Sequence, residues 1–150
     1  MKMLVGIIGD KVSQKVAEKA VELAKRCDGE ITFISVVDDS DSKSGMPYSF
    51  GTITKEEFIR SQEIIVKGMI EQSDKMLDSI IDSFKSSGVK MNKIVTRGVS
   101  YEEIVETAEK GDYELIIVGH TGTSLLRRVF LGSVAKRVIE GAHCTVMVVK

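Results

Sequence analysis

The chain has 150 residues, 43% of them hydrophobic and 29% charged, enough for one domain with a sizeable core and a solvated surface. A formal charge of −1 argues against broad attraction to nucleic acid or an anionic membrane, and Cys27 and Cys144, with no CxxC spacing, argue against a disulfide framework. His120 and His143 supply no metal-ligand cluster, and no apolar run approaches the ~20 residues that span a bilayer.

The segment Met1 to Gly9 is apolar but short and carries no small-residue cleavage site, so it reads as a first strand rather than a signal peptide. A cytoplasmic protein with reduced thiols is expected. The first strand is Met3 to Ile8, an unbroken apolar run suited to burial on both faces. Ser13 is placed to cap a helix with Val16, Ala17, Ala20, Val21, Leu23, Ala24 and Cys27 inward, and Gly29 suits the left-handed position that ends it. Ile31 to Val37 is the second strand. Asp38 to Thr52 is a polar stretch with the only proline, Pro47, of a length at which loops tend to be functional or mobile.

Thr54 and Glu57 form a capping box, and the helix they open is expected to run near residue 86. Its inward stripe reads Ile65, Met69, Met76, Leu77, Ile80, Ile81 and Phe84, and Gly88 closes it. Lys93 to Arg97 is the third strand. Ser100 and Glu103 repeat the capping-box pattern before a short helix with Ile104, Val105 and Ala108 inside. Leu115 to Val118 is the fourth strand. Gly132-Ser133 precede a helix with Val134, Ala135, Val138 and Ile139 inward, and Thr145 to Val149 is the fifth strand.

The order βαβαβαβαβ predicts one domain over residues 1–150. It is a Rossmann-like three-layer α/β/α sandwich with a five-stranded parallel sheet in the order 3-2-1-4-5. In such sheets the ligand lies beyond the carboxyl ends of the strands, near the switch point.

The chemistry concentrates after the fourth strand: Gly119-His120-Thr121-Gly122, nine residues, then Gly132-Ser133 at a helix start. Glycines after a buried strand let backbone approach a ligand. A helix N-terminus offers unpaired N–H groups and a partial positive charge. These residues fit a phosphate cradle and a plain turn-and-cap equally. Around them, His120 is a shape-giving loop residue before it is a proton donor, since no carboxylate neighbour orients it. Arg127 and Arg128 fit either a phosphate tail or a solvated face. Lys136, Arg137 and His143 read as surface, and Cys144 as a small buried hydrophobe.

The spacing G-x-x-G, nine residues, G-(S/T) resembles the nucleotide-binding signature of the universal stress protein family. Leu115 to Gly122 is similar to that family's strand and loop, Leu131 to Val138 to its signature helix start, and Val146 to Val149 to its last strand. Lys2 to Val5 and Ser35 to Val37 also fit, so the likeness covers the whole chain. It implies an ATP site, with Mg²⁺ on the phosphates, built from Gly9, Val36, Val118, Gly119, His120, Gly122, Arg128, Gly132, Ser133 and Val134. In that picture Gly119 and Gly122 approach ribose and phosphates, Gly132 and Ser133 bind the phosphate tail, and Val36 lies against adenine through its main chain. It also implies a homodimer through the last strand, and a stress-response module whose output is a conformational or partner signal, with slow hydrolysis at most. Two positions depart from the pattern. Ile8 stands where ATP-binding members carry Asp before a glycine, and Thr145 stands where a proline usually follows the cysteine. Ile8 supports an alternative, a dimeric regulator or scaffold that no longer binds ATP. Four enzyme classes on similar folds are set aside because their first-strand or P-loop signatures are missing, among them GxxxxGK(S/T) and GxGxxG.

Overall fold

The computed structural model describes residues 1–8, 11–38, 54–120 and 131–150. Its strands are β1 (Lys2–Gly6), β2 (Glu30–Val37), β3 (Met91–Arg97), β4 (Leu115–Gly119) and β5 (Thr145–Val149). Between them lie α1 (Lys11–Cys27), α2 (Lys55–Ser83), α3 (Ser100–Lys110) and α4 (Ser133–Gly141). All strand pairs are parallel and the order is β3-β2-β1-β4-β5, as the sequence predicts.

The chain moves one way from β1 to β3, then jumps back past β1 to β4. Right-handed crossovers therefore put α1 and α2 on one face and α3 and α4 on the other. Two apolar clusters follow from strand alternation. Met3, Val5, Ile31, Phe33 and Ile117 pack under α1 and α2, and Leu4, Ile34, Ile116 and Val118 under α3 and α4. Both faces are covered, which is why β1 and β4 read as unbroken apolar runs.

Several local expectations change. Ile8 is outside β1 and 41% exposed, because the ladder to β2 ends at the Ile7 N–H, which donates to Ile34 O at 2.9 Å. Ser13 is not a cap. Helix α1 begins at Lys11, and Ser13 shares the spacing of Val16, Ala17 and Ala20, so it is buried with them. At the far end, Asp28 takes the left-handed conformation at φ 49, not Gly29. Gly29 answers a different demand: a Cβ there would stand 2.4 Å from Met3 Cε and 3.0 Å from Met1 O. Strand β3 starts two residues early, at Met91, because Met91 and Asn92 already pair with Ile31 and Thr32 of β2; within it Lys93 is held by Asp74 and Asp78 of α2 at 2.8 and 2.7 Å.

The capping box of α2 is present. Thr54 Oγ1 accepts from the Glu57 N–H at 3.2 Å, and Glu57 Oε2 accepts from the Thr54 N–H at 2.9 Å. Those Thr54 donors hold the Glu57 carboxyl below the usual carboxylate range. The helix itself ends at Ser83, and a short 3₁₀ turn, Lys85–Ser87, leads to Gly88. Its inward stripe is Val66, Leu77 and Ile80, with Met76, Ile81 and Phe84 half-buried. Ile65 and Met69 face solvent, 54% and 47% exposed. The reason is length. At 29 residues α2 is about 44 Å long, against about 23 Å for the seven residues of β3. Its C-terminal half is what packs on the sheet; its N-terminal half runs past the carboxyl edge with no described strand beneath, and there only Val66 is buried.

The second capping box does not form. The N-cap of α3 is Val99, and the Glu103 carboxylate instead accepts from Thr96 Oγ1 at 2.8 Å, tying α3 to the end of β3. In α4, Ala135 and Val138 are buried, but Ile139 is 46% exposed. That helix rests on β5 at the margin of the sheet, so no described strand lies beyond one flank.

Candidate functional site

The order of strands reverses at β1, which has β2 on one side and β4 on the other. Their carboxyl ends, Ile7-Ile8, Val36-Val37 and Gly119-His120, meet at one edge, where a doubly wound sheet takes its ligand. A cavity of about 300 Å³ opens there. Its apolar lining comes from Ile7, Ile8, Ile34, Val36, Met76 and Ile104. Ser35, Gln72, Ser73 and Ser100 supply its polar lining, and no charged side chain is among the described residues that line it.

The predicted residues fall into three groups. Val36, Val118 and Val134 come together on the α3–α4 face, in the cluster of Leu4, Ile34 and Ile104. Val118 is fully buried, main chain included, and does not line the cavity. Val134, in the first turn of α4, packs against the same apolar cluster as Val36, but of the two only Val36 lines the cavity.

Gly132 and Ser133 form the N-terminus of α4. Gly132 is the N-cap, at φ −59 and ψ 150, and Ser133 is the first helical residue and exposed. The Gly132 carbonyl accepts the first helical bond from the Lys136 N–H at 3.0 Å. The N–H groups of Ser133, Val134 and Ala135 precede that bond and have no acceptor within the helix. The nearby cations are occupied elsewhere. Lys136 is 4.0 Å from Glu140, and the Arg137 guanidinium lies 4.7 Å above the Tyr101 ring. Among the described residues, the helix backbone is what adds positive potential at this end.

Gly119 and His120 are used structurally. A Cβ on Gly119 would stand 2.9 Å from Val12 Cγ1 and 3.1 Å from Val16 Cγ2, so this glycine lets α1 seat on β4. The His120 N–H donates to Val149 O at 2.7 Å, extending the pairing of β4 with β5. Gly9, Gly122 and Arg128, with Asp10 and Arg127, lie outside the described residues. Cys144 is half-buried against the α3–α4 cluster, and burial pushes its thiol pKa up, which suits an inert small hydrophobe. His143 is exposed.

Sequence reasoning missed Gln72, Ser73 and Ser100. Gln72 and Ser73 interrupt the apolar stripe of α2 where the helix crosses the sheet edge. A polar break at that point of an overlong helix is the signal that was available.

No described helix is long and apolar enough to cross a membrane. The described residues hold no group of three or more His, Cys, Asp or Glu arranged for a metal ion.

Known proteins share this arrangement. The solved structure of UspA from Lactobacillus plantarum matches with a TM-score of 0.83 at 22% identity, over 100% of this chain and 97% of that one. A universal stress protein from Archaeoglobus fulgidus in complex with dAMP matches with a TM-score of 0.65 at 17% identity, over 100% and 98%. Likenesses at such identity are of fold. In sequence, universal stress protein MJ0531 of Methanocaldococcus jannaschii is 38% identical over 149 residues, 99% of this chain and 81% of that protein. The model of the universal stress protein family matches residues 1–150. With the sheet order in agreement as well, the chain belongs to the universal stress protein family.

Proposed function

We propose that this protein binds ATP at the carboxyl edge of its sheet and acts as a ligand-responsive signalling module in stress response. The base occupies the cavity beside Val36, and the phosphates meet the N-terminus of α4 at Gly132 and Ser133. Mg²⁺ travels on the phosphates. The observation that carries this reading is the cavity itself: it lies at the switch point, and Ile34, Val36 and Ile104 of its lining belong to the apolar cluster against which Val134 of α4 packs. The dAMP complex of the Archaeoglobus fulgidus protein, which shares the fold, supports an adenine ligand. Calorimetric titration of ATP and Mg²⁺ into nucleotide-stripped protein tests it. Saturable micromolar binding is expected.

One observation favours a second reading, a regulator or scaffold that binds no ATP: the side chain lining the cavity at the end of β1 is Ile8. Because Ile8 is already 41% exposed, Ile8→Asp removes little from the core. The new carboxylate accepts hydrogen bonds from the nucleoside, so the dissociation constant should fall about tenfold. An unchanged constant would mean that the cavity does not receive the nucleoside.

We also propose a homodimer through β5. It is a terminal strand of the sheet, and its outer edge carries backbone groups that no described strand pairs. Leu23, Met147 and Val149 give the adjoining groove an apolar lining. Light scattering should return twice the chain mass. A strict monomer at millimolar concentration removes the dimer.

A further inference from the structure

The face of the sheet under α1 and α2 is not covered to its margin. Helix α2 packs on β2 and β3, and α1 lies over β1, β4 and part of β2. Strand β5 meets only the flank of α1 on this face, whereas α4 rests on its other face. A groove of about 490 Å³ runs between α1 and β5.

Its floor is apolar. Met147 and Val149 of β5 belong to the α1–α2 face by strand alternation, and Leu23 of α1 borders them. Leu23 and Met147 are only half-buried, so the packing here is unfinished. Its rim is cationic. Lys15, Lys19, Glu22 and Arg26 recur along one strip of α1 at spacings of three and four, and Lys150 follows β5. Four cations thus stand beside one carboxylate, in a chain whose formal charge is −1. Glu22 is shared by Lys19 at 2.8 Å and Arg26 at 2.7 Å. These pairs are exposed and contribute little, so incoming carboxylates displace them easily. Lys15 and Lys150 have no ion partner among the described residues.

The layout of charge selects the occupant. From Lys15 to Arg26 the strip rises eleven residues, about 16 Å or three helical turns. A single-headed amphiphile such as a fatty acid meets cations at one end only. A second copy of the chain brings the same cations, and like charges repel. Strand pairing at the margin of β5 uses its backbone edge and not this face. An amphipathic helix with carboxylates beside its apolar stripe matches floor and rim along the whole length. It also takes the place of the third helix that this face of the sheet lacks.

We propose that the groove between α1 and β5 docks an acidic amphipathic helix of a partner protein. The helix lies along α1, with its apolar stripe on Met147 and Val149 and its carboxylates beside Lys15, Lys19 and Lys150. The groove shares no lining residue with the cavity at the carboxyl edge, so its occupant is independent of the nucleotide reading.

The test is fluorescence anisotropy on the whole protein with a labelled, designed peptide about 15 residues long, bearing Leu every three or four residues and Glu on the flanks. A counterpart peptide carries Lys in place of each Glu. The acidic peptide should bind with a dissociation constant of about 100 μM or tighter, and the basic one at least about tenfold more weakly. Binding should weaken as salt rises. Lys15→Glu combined with Lys150→Glu should weaken the acidic peptide about tenfold. Both residues are exposed and without an ion partner among the described residues, so the fold survives, which circular dichroism verifies. Lys67→Glu combined with Lys75→Glu, both exposed on α2, changes total charge equally and should leave the affinity within about threefold. In methionine-methyl NMR spectra the Met147 signal should move, and that of fully buried Met3 should not. No binding at about 1 mM, equal affinity for the two peptides, or equal losses in the two double variants overturns the proposal. A protein dimer that excludes the acidic peptide gives the groove to a second copy. Vesicles of phosphatidylcholine and phosphatidylserine that displace the peptide give it to a membrane. Either result also overturns the proposal.

Discussion

Gly132→Val should weaken ATP binding by about 100-fold or more, the loss of two hydrogen bonds to charged phosphate at roughly 1.5–3 kcal/mol each. The fold should survive. Gly132 sits at φ −59 and ψ 150, an extended conformation that any residue adopts, so valine brings no backbone strain. What it brings is a branched side chain beside the N–H groups of Ser133, Val134 and Ala135, which have no acceptor within the helix. Valine is also a poor N-cap, at a cost of roughly 1 kcal/mol, so the melting temperature should drop only by about 2–6 °C. Calorimetry and thermal unfolding separate the two effects. Affinity retained within about threefold in a folded variant would move the phosphates away from α4.

Leu77→Ala should destabilise the protein by about 2–5 kcal/mol, while Ile65→Ala should change stability by no more than about 0.5 kcal/mol. Both are large aliphatic residues on α2, and a helical stripe drawn from sequence alone includes both. Leu77 is fully buried among the residues of the α1–α2 face, with Phe33 and Ile80 in the same cluster. Its removal leaves a cavity between helix and sheet. Ile65 lies on the overhanging half of the helix, more than half exposed, and its truncation opens no void. Urea unfolding midpoints at constant slope measure the difference. Equal losses at the two sites would mean that the N-terminal half of α2 is packed and not overhanging.

These two residues show where pattern reading stops. Periodicity reports that a helix has an apolar side. It does not report how far the partner surface extends. The strands of this sheet are five to eight residues long, so a helix of 29 residues outruns them. The same shortfall explains Ile139, which is apolar and in phase but lies at the margin of the sheet. Capping signals divide similarly. Thr54 and Glu57 bond each other because the helix starts where they stand. At Ser100 and Glu103 the spacing is right but the helix starts one residue earlier, and Thr96 on a neighbouring strand takes the carboxylate.

The sequence by itself determined the class of fold, the five strands, the order of the sheet and the position of the glycine-serine helix start. Those features rest on local chemistry: apolar runs, crossover length and handedness, and residues suited to particular backbone angles. Tertiary structure decided the rest. It assigned Gly119 to seating α1, spent the His120 N–H on Val149, and placed Ile8 at the rim of a cavity. It also brought Gln72 and Ser73 to that cavity from nearly forty positions away in sequence from Ser35. Such assignments depend on which faces meet and which hydrogen-bonding groups remain unpaired once they do, and only the packed chain settles that.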